Sequence, residues 1–106
     1  MVCRMHVIRE RQSLTMHRLI AERLVAQPEM VIPKALDNLR RWTDGACLSG
    51  AYAEWHAILV GKKPEEIAAL LVSEDEDAVR LRQSSPFAGV LDAREVWKIK
   101  RSHETA

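Results

Sequence analysis

The sequence predicts an all-α fold, a compact bundle of five or six short helices, on three observations. Ala, Leu, Glu and Arg dominate, and the alternating β-branched and aromatic pattern of strands is missing. Apolar residues recur at spacings of three and four, the period of one helix face. The four prolines and four glycines fall largely between or at the ends of these periodic stretches. A chain of 106 residues, 47% hydrophobic and 29% charged, is an ordinary length and composition for one globular domain.

Residues 1–12 read as a flexible basic arm, and residues 13–106 as a single helical domain. Ser13 is the expected N-cap of the first helix, whose apolar face is Leu14, Met16, Leu19, Ile20, Leu24 and Val25. Pro28 restarts the chain, and a second helix is expected from about Glu29. Pro33 falls early in it, where a missing N–H does limited damage. Val31, Ala35, Leu39 and Trp42 form its core stripe, and Gly45 is its natural stop. A third helix is expected from about Gly50 to Val60, burying Tyr52, Trp55, Ile58 and Leu59. Pro64, followed by Glu65 and Glu66, starts a short fourth helix that ends near Val72. Ser73 and Glu76 have capping-box spacing for a fifth, and Asp92 and Glu95 a related spacing for a sixth carrying Val96, Trp97 and Ile99.

No apolar run reaches the roughly 18 to 20 residues of a membrane span, and no apolar segment follows the basic N-terminus as a secretory signal requires. Cys3 and Cys47 therefore read as free thiols, and a reducing cytoplasm is expected. His6, His17, His56 and His103 make no pair at metal-ligand spacing with one another or with the cysteines. The run Glu74, Asp75, Glu76, Asp77 lacks the alternating ligands and mid-loop glycine of a calcium loop, and reads as helix N-terminal acids. Ser84 and Ser85 have no glycine-framed elbow, and no phosphate-cradling glycine motif occurs. The chain reads as neither an enzyme nor a cofactor protein.

Charge is polarised. Residues 1–42 hold eight Lys/Arg against four Asp/Glu, a balance of +4; residues 43–92 hold four against nine, −5; residues 93–106 hold four against two, +2. Such segregation suits oriented association. Residues 55–75 imitate a helix-turn-helix, but Glu65, Glu66, Glu74 and Asp75 would repel phosphates. The nucleic-acid surface, if DNA is bound, is expected on Arg4, Arg9, Arg11, Arg18 and Arg23; the alternative is an ordinary solvated basic face.

The segment "RQSSPFAGVLDAREVW" (82–97) is unusually apolar for a connection. One reading tucks Phe87, Val90 and Leu91 into the domain's own core. The other leaves part of it exposed to dock a partner, and the two are compatible with Phe87 inside and Val90 and Leu91 outside. A second copy of the chain is an expected cover, giving a homodimer, and the first helix with Leu14, Leu24 and Val25 is another surface for it.

The strings "SLTMHRLIAERLVAQPE" and "EEIAALLVSEDEDAVRLRQSSPFAGVL", the Trp42 end of the second helix and the "REVW" start of the sixth together resemble small helical bacterial antitoxins paired with nucleotidyltransferase-type toxins. The likeness spans residues 13 to 99. It implies a protein that binds a cognate toxin enzyme and blocks its active site or substrate entry, with a role in operon control through operator DNA. From the physical reading, Phe87, Val90, Leu91 and Trp97 are the expected apolar anchors. Glu74, Asp75, Glu76 and Asp77 are expected to steer the chain to a basic, phosphate-holding cleft.

Overall fold

A single long helix sets the frame on which the others pack. The structure, a computed structural model, describes the backbone of residues 4–44 and 50–105 and the side chains of residues 8–44 and 50–101. Helix α1 covers Arg4–Ala26, α2 Pro28–Thr43, α3 Gly50–Gly61, α4 Pro64–Val72, α5 Glu76–Arg82 and α6 Ala93–Thr105. At ~1.5 Å per residue α1 is about 34 Å long, close to the 38 Å long axis of the molecule. α4, α6 and α2 pack along it, α3 lies on α2, and α5 on α4. Among the described residues there are no strands, and no helix is long and apolar enough to cross a membrane.

The first helix starts earlier than the sequence suggests. Arg4–Gln12, expected as an arm, is helical, and Ser13 lies inside the helix rather than at its cap. Tertiary contact accounts for the extension: Gln12 is buried, and its Nε2 donates to the Lys100 carbonyl at 3.1 Å, fastening this turn to α6. Ile20, Ala21 and Leu24 enter the core, and Met16 and Leu19 lie half-buried beside it. Leu24 is fully enclosed, which removes it from any self-association surface; Val25 is exposed.

In α2, Pro28 takes the first helical position and Pro33 the interior. Pro33 leaves only the Glu29 carbonyl without its i+4 donor, one turn from the end. Val31, Ala35 and Leu39 are buried as the stripe predicts. Trp42 is not: it shares their angular position but sits in the last turn, beyond the end of the packed core. Its ring leans on Tyr52, centroids 5.9 Å apart, and stays 42% exposed. Asp44, at φ 48°, closes the helix with its N–H on the Arg41 carbonyl. Gly45, the expected stop, and Cys3 and Cys47 lie outside the described residues.

The sixth helix opens as expected. Asp92 Oδ1 accepts from Glu95 N at 2.9 Å, and Glu95 Oε1 accepts from Asp92 N at 3.2 Å, a reciprocal capping box. The fifth helix differs. Its cap is Asp75, whose Oδ1 accepts from Ala78 N at 2.8 Å. Ser73 lies two positions before the cap; its N–H ends α4 on the Leu70 carbonyl, and its hydroxyl donates to Asp75 Oδ2.

The apolar connection 83–92 belongs to the core. Pro86, Phe87 and Leu91 are buried, and Val90 is half-buried. The Phe87 ring meets the fully buried Trp55 edge to face, centroids 5.5 Å apart, and Trp55 Nε1 donates to the Leu81 carbonyl at 2.8 Å. Val90 N–H closes a turn onto the Phe87 carbonyl, with Gly89 at its third position at φ 86°, where glycine carries no steric cost. From α2, Asn38 donates both amide hydrogens to this segment, to the carbonyls of Pro86 at 2.8 Å and Ala88 at 2.9 Å, while its Oδ1 accepts from Arg41.

Replacing Asn38 with Ala strands the Pro86 carbonyl inside the core and loosens the Ala88 one. The expected cost is about 2–4 kcal/mol in urea unfolding, with Asn38→Asp costing at least as much because an acceptor then faces two acceptors. A loss below about 0.5 kcal/mol in both variants would show that the clamp does not hold the loop.

Candidate interaction surfaces

The sequence-predicted anchors separate. Phe87 and Leu91, at 2% and 6% exposure, are interior residues and cannot meet a partner without unfolding the loop. Burial against Trp55 and the Asn38 clamp are the reason. Val90 is half-buried, and its carbonyl accepts from Arg23 Nη1 at 3.0 Å. Trp97 is the exception: it is 61% exposed on α6. Glu74, Asp75, Glu76 and Asp77 are all exposed at the junction of α4 and α5. Asp75 is committed to its capping bonds, which hold its carboxyl below the usual range, Ala78 N–H first and the Ser73 hydroxyl second. Asp77 approaches Arg80 at 3.5 Å, and Arg80 is held in turn by Glu54 at 2.7 Å.

The predicted basic residues also part company. Arg23 is a structural residue, with Nη1 on the Val90 carbonyl and Nη2 paired to Glu95. The Arg23 hydrogen bond and then the Asp92 N–H hold the Glu95 carboxyl below its ordinary range. Arg11 and Arg18, seven residues apart, share one exposed face of α1, whereas Arg9 lies about 200° round from Arg11. The Arg4 side chain lies outside the described residues.

A second basic face, which the sequence reading missed, lies on α6. Arg94, Trp97, Lys98 and Arg101 stand at i, i+3, i+4 and i+7, all exposed, and the Arg101 guanidinium lies 5.0 Å from the Trp97 ring centroid. The spacing was readable in "REVWKIKR", where the buried Ile99 and the half-buried Glu95 and Val96 mark the opposite side. The Gln12–Lys100 bond and the Arg23–Glu95 pair set α1 and α6 antiparallel.

Between α1, α6 and the loop lies a cleft of about 200 Å³ lined by Met16, His17, Ile20, Ser85, Phe87 and Val96 among others. His17 Nδ1 bonds the Ser13 carbonyl at 2.7 Å, which fixes the proton there, so Nε2 accepts from the Ser85 hydroxyl at 2.8 Å. A serine and a base are thus in contact, the pair ties the loop to α1, and Phe87 N–H points to the Ser85 hydroxyl at 3.4 Å. Sequence spacing carries no trace of a pair 68 positions apart. Among the described residues no three His, Cys, Asp or Glu side chains converge where a metal ion could sit.

Burial keeps the His17 imidazole below its ordinary value, and the charge of Arg82 pushes it the same way, against the hydrogen bond to the Ser13 carbonyl. Below its ordinary 6.5 the unfolded chain therefore binds this proton more readily than the fold does. The stabilisation is complete above that value and is lost as pH falls from about 6.5 toward the lower folded value, at up to ~1.4 kcal/mol per pH unit. The depressed carboxylates Glu54, Asp75 and Glu95 act only at more acid pH. Thermal unfolding should show a lower midpoint at about pH 5.5 than at about pH 7.5, and His17→Gln should flatten that slope; an unchanged slope in the variant sinks the assignment.

No family model, no curated protein and no solved structure matches this chain.

Proposed function

We propose that this chain is a non-catalytic binding protein of the antitoxin kind, which holds and neutralises a companion toxin enzyme of the nucleotidyltransferase type. The observation that carries the reading is Trp97. A large aromatic ring left 61% exposed on the outer face of the last helix has the size and placement of an interface hot spot. The apolar loop no longer contributes, because Phe87 and Leu91 are spent on the core. The resemblance over residues 13–99 supplies the class of partner. At the junction of α4 and α5, apart from Trp97, the exposed Glu74, Glu76 and Asp77 carry negative charge that suits a cleft built for nucleotide phosphates.

A second reading, operator binding, is favoured by a specific arrangement. Arg94, Lys98 and Arg101 present three exposed cations around an aromatic ring on one face of α6, and Arg11 and Arg18 share an exposed face of α1. This surface replaces the one expected from the N-terminal arginines alone, since Arg23 is committed to Glu95. The two activities use overlapping but separable residues.

The test is co-expression with the product of the adjacent reading frame. The neighbour is expected to be toxic alone, harmless with this chain, and recovered in a complex with it. Trp97→Ala should weaken the complex by about 2 kcal/mol, roughly thirtyfold in Kd. A harmless neighbour, or an affinity untouched by Trp97→Ala, ends the first reading. For the second, the triple change Arg94→Glu, Lys98→Glu, Arg101→Glu should abolish a salt-sensitive gel shift on the promoter; a shift that survives it removes this face as the operator surface.

A further inference from the structure

We infer that the cleft between α1 and α5 is a binding site for a small sugar phosphate, independent of the partner surface on α6. The cleft, about 280 Å³, is lined by Arg9, Glu10, Ser13, Val79, Arg82 and Gln83. That volume is near the lower end for small-ligand pockets.

The cations decide its chemistry. Arg82 is 8% exposed, and its Nη1 donates to the carbonyls of Leu71 and Ser73. These carbonyls stabilise the guanidinium but carry no full negative charge. Among the described residues no carboxylate lies within ion-pair distance of Arg82 or of Arg9. Asp75 is near enough to sense Arg82, yet both its oxygens are taken, one by Ala78 N–H and the other by the Ser73 hydroxyl. A buried cation without a counter-ion is costly, and an anion entering the cleft offsets that cost.

Two guanidinium groups suit the several oxygens of a phosphate better than a lone carboxylate, because each presents a planar fork of donors. The remaining lining describes the rest of the ligand. Glu10 accepts from ligand hydroxyls and disfavours a second phosphate; the Ser13 hydroxyl and Gln83 amide add polar contacts; Val79 offers an apolar wall to a carbon skeleton. A phosphate monoester of a small polyhydroxy compound meets all of these.

The experiment is a titration of ¹⁵N-labelled full chain, followed by amide shifts, with ribose 5-phosphate, ribose, inorganic phosphate and a 5′-phosphorylated oligonucleotide in separate arms. Saturable shifts at Arg9, Ser13, Val79, Arg82 and Gln83 are expected with ribose 5-phosphate, weaker ones with inorganic phosphate, and none with ribose. Arg82→Ala removes a buried group and can unfold the chain, so the informative variant is Arg9→Glu at an exposed position. It should weaken ribose 5-phosphate by roughly tenfold or more while leaving the far-ultraviolet circular dichroism unchanged. The proposal is overturned by the absence of saturable shifts with ribose 5-phosphate, by equal affinity for inorganic phosphate, by binding that Arg9→Glu leaves intact, or by binding confined to the oligonucleotide.

Discussion

The fold depends on the seating of one irregular segment, residues 86–91, between α2, α3 and α1. A non-helical turn packed into a helical core brings backbone carbonyls that no helix satisfies, and each is costly unless it is paired. Asn38 resolves this by giving both amide hydrogens to the Pro86 and Ala88 carbonyls. Arg23 reaches the Val90 carbonyl, and Trp55 reaches back to Leu81 at the end of α5. Once those groups are satisfied, Phe87 and Leu91 can fill space beside Trp55 as ordinary core residues. Among the described residues no buried side-chain polar atom is left without a partner.

That solution determines which groups remain for binding. Seating the loop consumes Phe87 and Leu91 as anchors, and it consumes Arg23, which pairs with Glu95 at the start of α6. The same pair, with the Gln12–Lys100 bond, fixes the orientation of α6 against α1. With Ile99 turned inward, the helical period leaves Arg94, Trp97, Lys98 and Arg101 outward. The exposed face is thus a consequence of how α6 is seated against α1 and the loop. The acidic junction of α4 and α5 carries a separate charge of opposite sign, and the chain's weak overall charge of +1 conceals both.

Much of this was legible in the sequence where the governing physics is local. The all-α class, the start of α4 at Pro64, the Asp92–Glu95 capping box and the stripe Val31, Ala35, Leu39 follow from backbone rules acting over four or five residues. Local rules failed where the exact start of an element or its reach into the core had to be known. α5 begins at Glu76, so Asp75, not Ser73 two positions earlier, is its cap, and the Ser73 hydroxyl bonds the Asp75 carboxylate instead. Trp42 held the right angular position, but angle says nothing of how far along the helix the core extends. Arg9 and Arg11 looked alike as letters, yet about 200° of helix separates them, and only Arg9 shares a cleft with Arg82.

By itself, then, the sequence determined the all-α class, the order of five or six helices and several of their boundaries, because helix period and capping chemistry act between near neighbours. The fate of the 86–91 segment, the division of the arginines between structure and surface, and the contact between His17 and Ser85 were decided only in three dimensions. Each depends on a partner dozens of positions away, and nothing in the spacing of residues records which distant donor a buried carbonyl will find.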